Sequence, residues 1–218
     1  MAVSARNSIA DQGQRRTSLQ QARSRQTRQA LVESALMLWR ANGYANTTVA
    51  DICRAAGVSK ALFYFYFPRK EDVLFEFVAE SEEAAYQSSR SKIAKPYEIG
   101  DVITAALTSL EADMKRNTPE LVIQTIVEGY RRIVGEGTPG TSRPEWTKHL
   151  FVELFEQARA DGKLPAHVDV PHLAAVAQSL VSEGARRWAA GAFGERSFAD
   201  VVGRDILALV TGYCALPD

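Results

Sequence analysis

Between Thr47 and Lys70 the sequence reads TTVADICRAAGVSKALFYFYFPRK, and its last eleven residues bring Lys60, Ala61, Leu62, Tyr64, Phe65, Tyr66 and Lys70 together. A lysine donates to guanine O6 or N7 or to a phosphate oxygen. Tyrosine hydroxyls donate to phosphate oxygens, and small or apolar side chains meet thymine methyls. Lys70 falls in the first turn of a following helix, where free amide donors and the positive dipole end favour a phosphate. One helix cannot bury all five consecutive rings from Phe63 to Phe67. Phe63 and Phe67, four apart, share a core-facing side, and Tyr64 and Tyr66 lie off it. A helix buried on every side would not carry Lys60, Tyr64 and Lys70 around that cluster.

The charge distribution agrees with a polyanionic partner at this end. Formal net charge is zero over 218 residues. Residues 1–70 nevertheless hold 11 Lys and Arg against Asp11, Glu33 and Asp51, a balance of 11 − 3 = +8, which leaves −8 for the remainder. A basic end on an acidic body suits a chain that meets a polyanion at one end only. A solvated arm would give the same excess, because five of those arginines fall between Arg15 and Arg28.

The elements that must position these residues are helices. Residues 1–24 show no apolar periodicity and read as a disordered basic arm, open to minor-groove or phosphate contacts or to none. From Arg25, the recurrence of Leu31, Val32, Ala35, Leu36, Leu38 and Trp39 predicts an amphipathic helix that Gly43 stops. Thr47 or Thr48 then caps a helix of about two turns, with Asp51 placed for a capping box and Gly57 as its stop. Ser59 caps KALFYFYF, which Pro68 ends. Two short helices joined by an AGVS turn make a helix-turn-helix, whose second helix enters a DNA major groove. Further helices are predicted over 71–89, 101–116, 119–134, 146–160, 171–190 and 198–213, with a Gly/Pro-rich loop at 135–144. The alternation of strands is absent.

The run TTVADICRAAGVSKALFYFYFPRKEDVLFEFV (47–78) resembles the DNA-binding signature of the TetR/AcrR family of bacterial transcriptional regulators. It joins the Thr-Thr cap, the D-I-x-x-x-A-G-V-S turn, an aromatic-rich helix ending in F-P and an x-K-E-D-x-L helix opening. The resemblance implies that Thr48, Tyr64, Tyr66 and Lys70 contact phosphates, that Lys60, Ala61, Leu62 and Phe65 face base edges, and that Ser59 stands beside them. Members often carry small polar residues where this chain has Ala61-Leu62, so apolar contact replaces hydrogen bonding there. The implied fold is all-α: a three-helix helix-turn-helix DNA-binding domain over 25–70 after the 1–24 arm, and a helical ligand-binding and dimerisation domain over 71–218.

In that second domain, apolar residues at helical spacing first signify core. The resemblance adds a pocket for a small, largely apolar effector, with Met114, Tyr130, Trp146, Phe151, Phe155 and Trp188 as candidate lining. Glu128 or Arg131 would orient a polar group or pair with each other. It adds a homodimer as well. The apolar stripes Leu173, Val176, Ala177, Leu180, Gly184 and Ile206, Leu207, Val210, Tyr213 on the last two helices are the candidate seam.

Other chemistry is poorly supported. GEGTPG (135–140) matches G-x-G-x-x-G only formally, because it follows a helical pattern and contains Pro139. Asn46-Thr47-Thr48 forms a sequon, but Thr48 already serves as a cap and no secretory leader is evident. His149, His167 and His172 do not pair on a helix face, so no metal and no cofactor are expected. Hydrolase signatures are missing, and no enzyme activity is expected. Cys53 and Cys214 read as two reduced thiols of a cytoplasmic protein, and no apolar run has the length of a membrane span. The expectation is a sequence-specific DNA-binding regulator, a repressor in preference to an activator, whose effector releases it from a palindromic double-stranded DNA operator. The alternatives are an all-helical small-molecule-binding enzyme or carrier and a ligand-independent DNA-binding adaptor.

Overall fold

The computed structural model describes residues 2–93, 96–135 and 150–215, with side chains over 19–131 and 150–215 of these. Trp146, His149 and residues 136–144 of the expected loop lie outside the described residues. Among the described residues the chain is helical throughout, without strands: α1 Ala2–Asn42, α2 Val49–Ala56, α3 Lys60–Tyr66, α4 Asp72–Arg90, α5 Ile99–Lys115, α6 Pro119–Gly135, α7 Leu150–Ala160, α8 Val170–Ala189 and α9 Phe198–Cys214. It divides into two compact units, Met1–Val73 and Leu74–Asp218, so the boundary falls inside α4, a few residues beyond the expected one.

In the first unit α1 extends back to Ala2, so the stretch read as a disordered arm is helical backbone. Gln, Arg, Ala and Ser all tolerate a helix, and no proline interrupts them. The expected apolar face of α1 is the core: Leu31, Val32, Ala35, Leu36 and Trp39 are buried, together with Ile52 of α2 and Phe63 of α3. Gly43 follows α1 with φ +83°, a left-handed conformation that glycine adopts without strain.

In the second unit α5 packs most extensively against α9, and α8 packs on α6, α7 and α9. Phe151, Phe155, Phe198, Ile103, Leu107 and Leu173 lie within its apolar core. At Gly184 of α8 a Cβ would stand 2.3 Å from Val202 Cγ2 and 3.2 Å from Phe198 Cε2, so these α9 side chains pack directly on the α8 backbone. Glu111 of α5 is buried, and its carboxylate accepts from Ser197 Oγ at 2.7 Å and from the Ala199 amide at 3.1 Å, while Lys115 Nζ pairs with it at 2.7 Å. It thereby satisfies the open amide end of α9. Burial opposes its charge, but Lys115, Ser197 and the α9 amides outweigh burial and hold the carboxyl below its ordinary range.

These contacts correct two sequence expectations. Leu173, Ala177, Gly184, Ile206 and Val210, expected at a dimer seam, are buried within the chain's own core, because α5, α6 and α7 cover the apolar stripes of α8 and α9. Of that set Leu207 is exposed, and Val176, Leu180 and Tyr213 are half-buried. Among the expected pocket residues, Tyr130 is 54% exposed on the outer side of α6, and Phe151 and Phe155 fill core volume with their rings 5.5 Å apart. Met114 and Trp188 pack half-buried against that core.

Glu82 on α4 gives this unit a pH dependence. Desolvation pushes its carboxyl from 4.5 up to about 7. A carboxyl that holds its proton more tightly when folded costs nothing below 4.5, and destabilises increasingly as pH rises through 7. Its side chain keeps some contact with solvent, so Glu82→Gln is expected to stabilise by about 1–2 kcal/mol at alkaline pH. The gain should vanish in acid. Urea midpoints at both ends of the range check this, and equal gains at both would refute it.

Candidate nucleic-acid interface

The helix-turn-helix is assembled by local capping. Thr48 Oγ1 accepts from the Asp51 amide at 3.2 Å, and the Thr48 amide donates to Asp51 Oδ2 at 3.0 Å, which closes a capping box at the start of α2. The Thr48 hydroxyl also donates to that carboxylate at 2.5 Å, and these bonds hold Asp51 below the ordinary carboxylate range. Gly57 ends α2 in the left-handed region at φ +67°, with its amide on the Arg54 and Cys53 carbonyls. Ser59 Oγ then accepts from the Leu62 amide at 3.2 Å and starts α3. Cys53 of α2 is buried, and burial pushes its thiol up, away from thiolate chemistry.

With those caps in place, α3 has two sides. Phe63 and Phe67 are buried with their rings 5.8 Å apart, as the four-residue spacing predicts. Ser59, Lys60 and Ala61 are exposed, Leu62 is half-buried, and Tyr64 and Phe65 are 52% and 76% exposed. Thr48, at the start of α2, is exposed as well. Two exposed rings next to a lysine form a surface that water solvates poorly and that a base-pair edge and its phosphates complement.

Two residues expected on phosphates are engaged inside the unit. Lys70 Nζ donates to the Tyr44 and Thr47 carbonyls at 3.0 and 3.1 Å and sits 4.0 Å from the Tyr44 ring centre. The reason is local: these carbonyls lie in the α1–α2 connection, where no helix ladder serves them. Tyr44 also donates its hydroxyl to Glu71 Oε1 at 3.0 Å, so the segment before α4 clasps the corner before α2. Tyr66 is half-buried, with its hydroxyl 3.0 Å from Ser24 Oγ of α1. Sequence reading missed both partners because they lie 26 and 42 residues away.

In the second unit a cleft of about 340 Å³ opens between α4 and α7, lined by Tyr86, Arg90, Ile93, Glu153, Leu154, Gln157 and Asp161. It contains none of the apolar residues expected to line a pocket. The Glu153 carboxylate accepts the Tyr86 hydroxyl, which with burial raises that phenol. Gln157 Nε2 and Tyr97 Oη donate to Asp161 Oδ2, each at 3.0 Å, and burial followed by this bond pushes Tyr97 up to about 12. The four-residue spacing of Glu153, Gln157 and Asp161 was the available signal for this polar face. Glu128 pairs with Arg131 and is buried, the pairing expected as the alternative to a ligand role. Among the described residues no cluster of His, Cys, Asp or Glu is arranged to hold a metal ion, and no helix is long and apolar enough to cross a membrane.

Residues 31–77 match the family model described as bacterial regulatory proteins, tetR family. The fatty acid metabolism regulator protein of Bacillus subtilis is 28% identical over 144 residues, covering 58% of this chain and 74% of that protein. The HTH-type transcriptional repressor BepR of Brucella suis is 26% identical over 179 residues, covering 78% and 84%. Among solved structures, the TetR-family transcriptional repressor FadR of Thermus thermophilus, in complex with lauroyl-CoA, superposes with a TM-score of 0.68 at 24% identity over 88% of this chain and 96% of that one. That likeness establishes the all-helical fold.

Proposed function

We propose, from the match of residues 31–77 to the model of bacterial regulatory proteins of the tetR family, that the chain is a member of that family and a homodimeric transcriptional repressor released from its operator by a small, largely apolar effector. The observation that carries the reading is the outward face of α3, where Lys60, Ala61, Tyr64 and Phe65 stand exposed on a helix held by its own caps. Two such helices, one from each protomer, would enter successive major grooves about 34–36 Å apart and read a near-palindromic site. Lys60 would donate to a base edge and Tyr64 to a phosphate, while Ala61 and Phe65 offer apolar contact to thymine methyls. Repression is supported by relatives named as repressors. An effector with an apolar part is supported by the lauroyl-CoA bound to the Thermus protein.

The effector would act along α4, which begins in the first unit and continues into the second. Shifting the population between DNA-competent and released states from 1:99 to 99:1 requires about 5.5 kcal/mol of differential affinity, which two effector sites in a dimer share.

Selection of genomic fragments by the purified protein at physiological salt, followed by footprinting, tests the reading. A two-fold symmetric footprint supports it, and salt-sensitive, sequence-blind binding overturns it. Lys60→Ala is expected to relax preference at one symmetric base-pair position, at a cost of about 1–3 kcal/mol on the preferred base. A variant that weakens binding equally on every sequence would move Lys60 to a phosphate role.

A further inference from the structure

α1 continues far beyond the core it serves. Leu31 and Ala35 are buried, whereas residues 19–30 are exposed or half-buried. Before leaving the core the helix is fastened to the end of α3. Ser24 Oγ lies 3.0 Å from the Tyr66 hydroxyl, and the Arg28 guanidinium sits 5.3 Å from the Phe67 ring centre. Ser24, Arg28, Leu31 and Ala35 follow one line of α1 at spacings of three and four. The part of α1 that precedes Ser24 therefore departs from beside Tyr66 and Phe67, at the end of α3.

Its composition suits one kind of surface. Between Asp11 and Glu33 there are five arginines, Arg15, Arg16, Arg23, Arg25 and Arg28, and no acidic residue. From Gln12 to Ala30 the only apolar side chain larger than alanine is Leu19. A helix that binds a lipid surface needs an apolar stripe to bury, which this segment lacks. A duplex backbone needs only charge at reach, because neutralised phosphates release their counterions. Residues 2–24, at 1.5 Å per residue, span about 34 Å, the length of roughly one turn of duplex.

We propose that the arginine-bearing N-terminal part of α1, as far as Arg25, is a second DNA-contacting element, which carries binding from the α3 surface onto backbone phosphates flanking the operator. This rests on the reading of α3 as the recognition helix. Tyr66 acts here as a tether that sets the departure of α1, and Arg15, Arg16, Arg23 and Arg25 supply the charge.

The test compares the full-length protein with the variant Arg15→Gln, Arg16→Gln, Arg23→Gln, Arg25→Gln, since glutamine preserves helix propensity. The probe is the fragment recovered by genomic selection, with about one helical turn of flanking duplex on each side or with flanks trimmed. The variant is expected to keep its helix content and base preference. Its plot of log affinity against log salt should be shallower by roughly three to four per protomer. Trimming the flanks should weaken the parent protein and leave the variant unchanged. An unchanged slope and unchanged response to trimming, with operator binding intact, overturns the proposal and leaves α3 in place. Lost base preference with an unchanged slope assigns the arginines to positioning α3, and also overturns it. So does a loss confined to vesicles of anionic phospholipid. A parent protein with no sequence-specific footprint refutes the recognition-helix reading itself, and this proposal with it.

Discussion

Phe63→Ala is expected to abolish operator binding and to remove about 3–5 kcal/mol from the first unit. The Phe63 ring is fully buried, with Phe67 at 5.8 Å and Tyr64 at 5.5 Å between ring centres. α3 has only seven residues, too few to persist as a helix without tertiary packing. The unit ends at Val73, and stability of about 0.05–0.15 kcal/mol per residue gives it only roughly 4–11 kcal/mol in all. Deleting one ring therefore takes about a quarter or more of that stability, together with the helix that presents Lys60 and Tyr64. The matched control is Phe65→Ala, whose ring is 76% exposed. It should leave the urea midpoint within about 0.5 kcal/mol of the parent while weakening DNA binding. Far-UV dichroism in urea and an operator titration on the same samples separate the two. If both variants bind DNA as the parent does, α3 has no part in recognition.

Gly184→Leu is expected to unfold the second unit or to leave it loosely packed. The first atom any side chain adds would already sit 2.3 Å from Val202 Cγ2, and valine has little rotamer freedom with which to retreat. Gly184→Ala isolates the effect. Helix propensity would favour alanine by about 1 kcal/mol, yet overpacking of about 1–3 kcal/mol opposes it, so a net loss of up to about 2 kcal/mol is expected. Adding Val202→Ala should return most of that loss, with a coupling of the sign that a shared contact requires. Additive losses in the double variant would show that the α8–α9 contact is not what limits the site.

The positions of the helices were legible because their ends are local chemistry. Thr48 with Asp51, Gly57 and Ser59 punctuate α2 and α3 where the sequence places them, and α5 to α9 begin and end within about two residues of expectation wherever they are described. The outward side of α3 was legible for the same reason, since a four-residue spacing selects Phe63 and Phe67 for the core. What periodicity cannot reveal is which neighbour covers an apolar face. The stripe through Leu173, Ala177 and Gly184 looks alike whether a second protomer or α9 covers it, and here the chain covers it itself. Periodicity was also silent on residues 2–24, because a helix without an apolar side leaves no 3.6-residue signal. Lys70 shows a third limit. Its charge suggested a phosphate, and the two main-chain carbonyls to which it donates lie more than twenty residues away, outside the reach of local spacing.

The cap that Glu111 places on α9 bears on the order in which the second unit is completed. Ser197 and Ala199 are 86 and 88 residues further along the chain than the carboxylate that holds them. A ribosome therefore releases α5 long before the helix it caps exists. Through that interval Glu111 has to remain in water, because a buried carboxylate without its donors is costly. The α5 surface that α9 finally covers stays open until the last segment arrives. Closure of this unit is then a late event governed by long-range contact, in which the C-terminal helix and the charge that anchors it settle together.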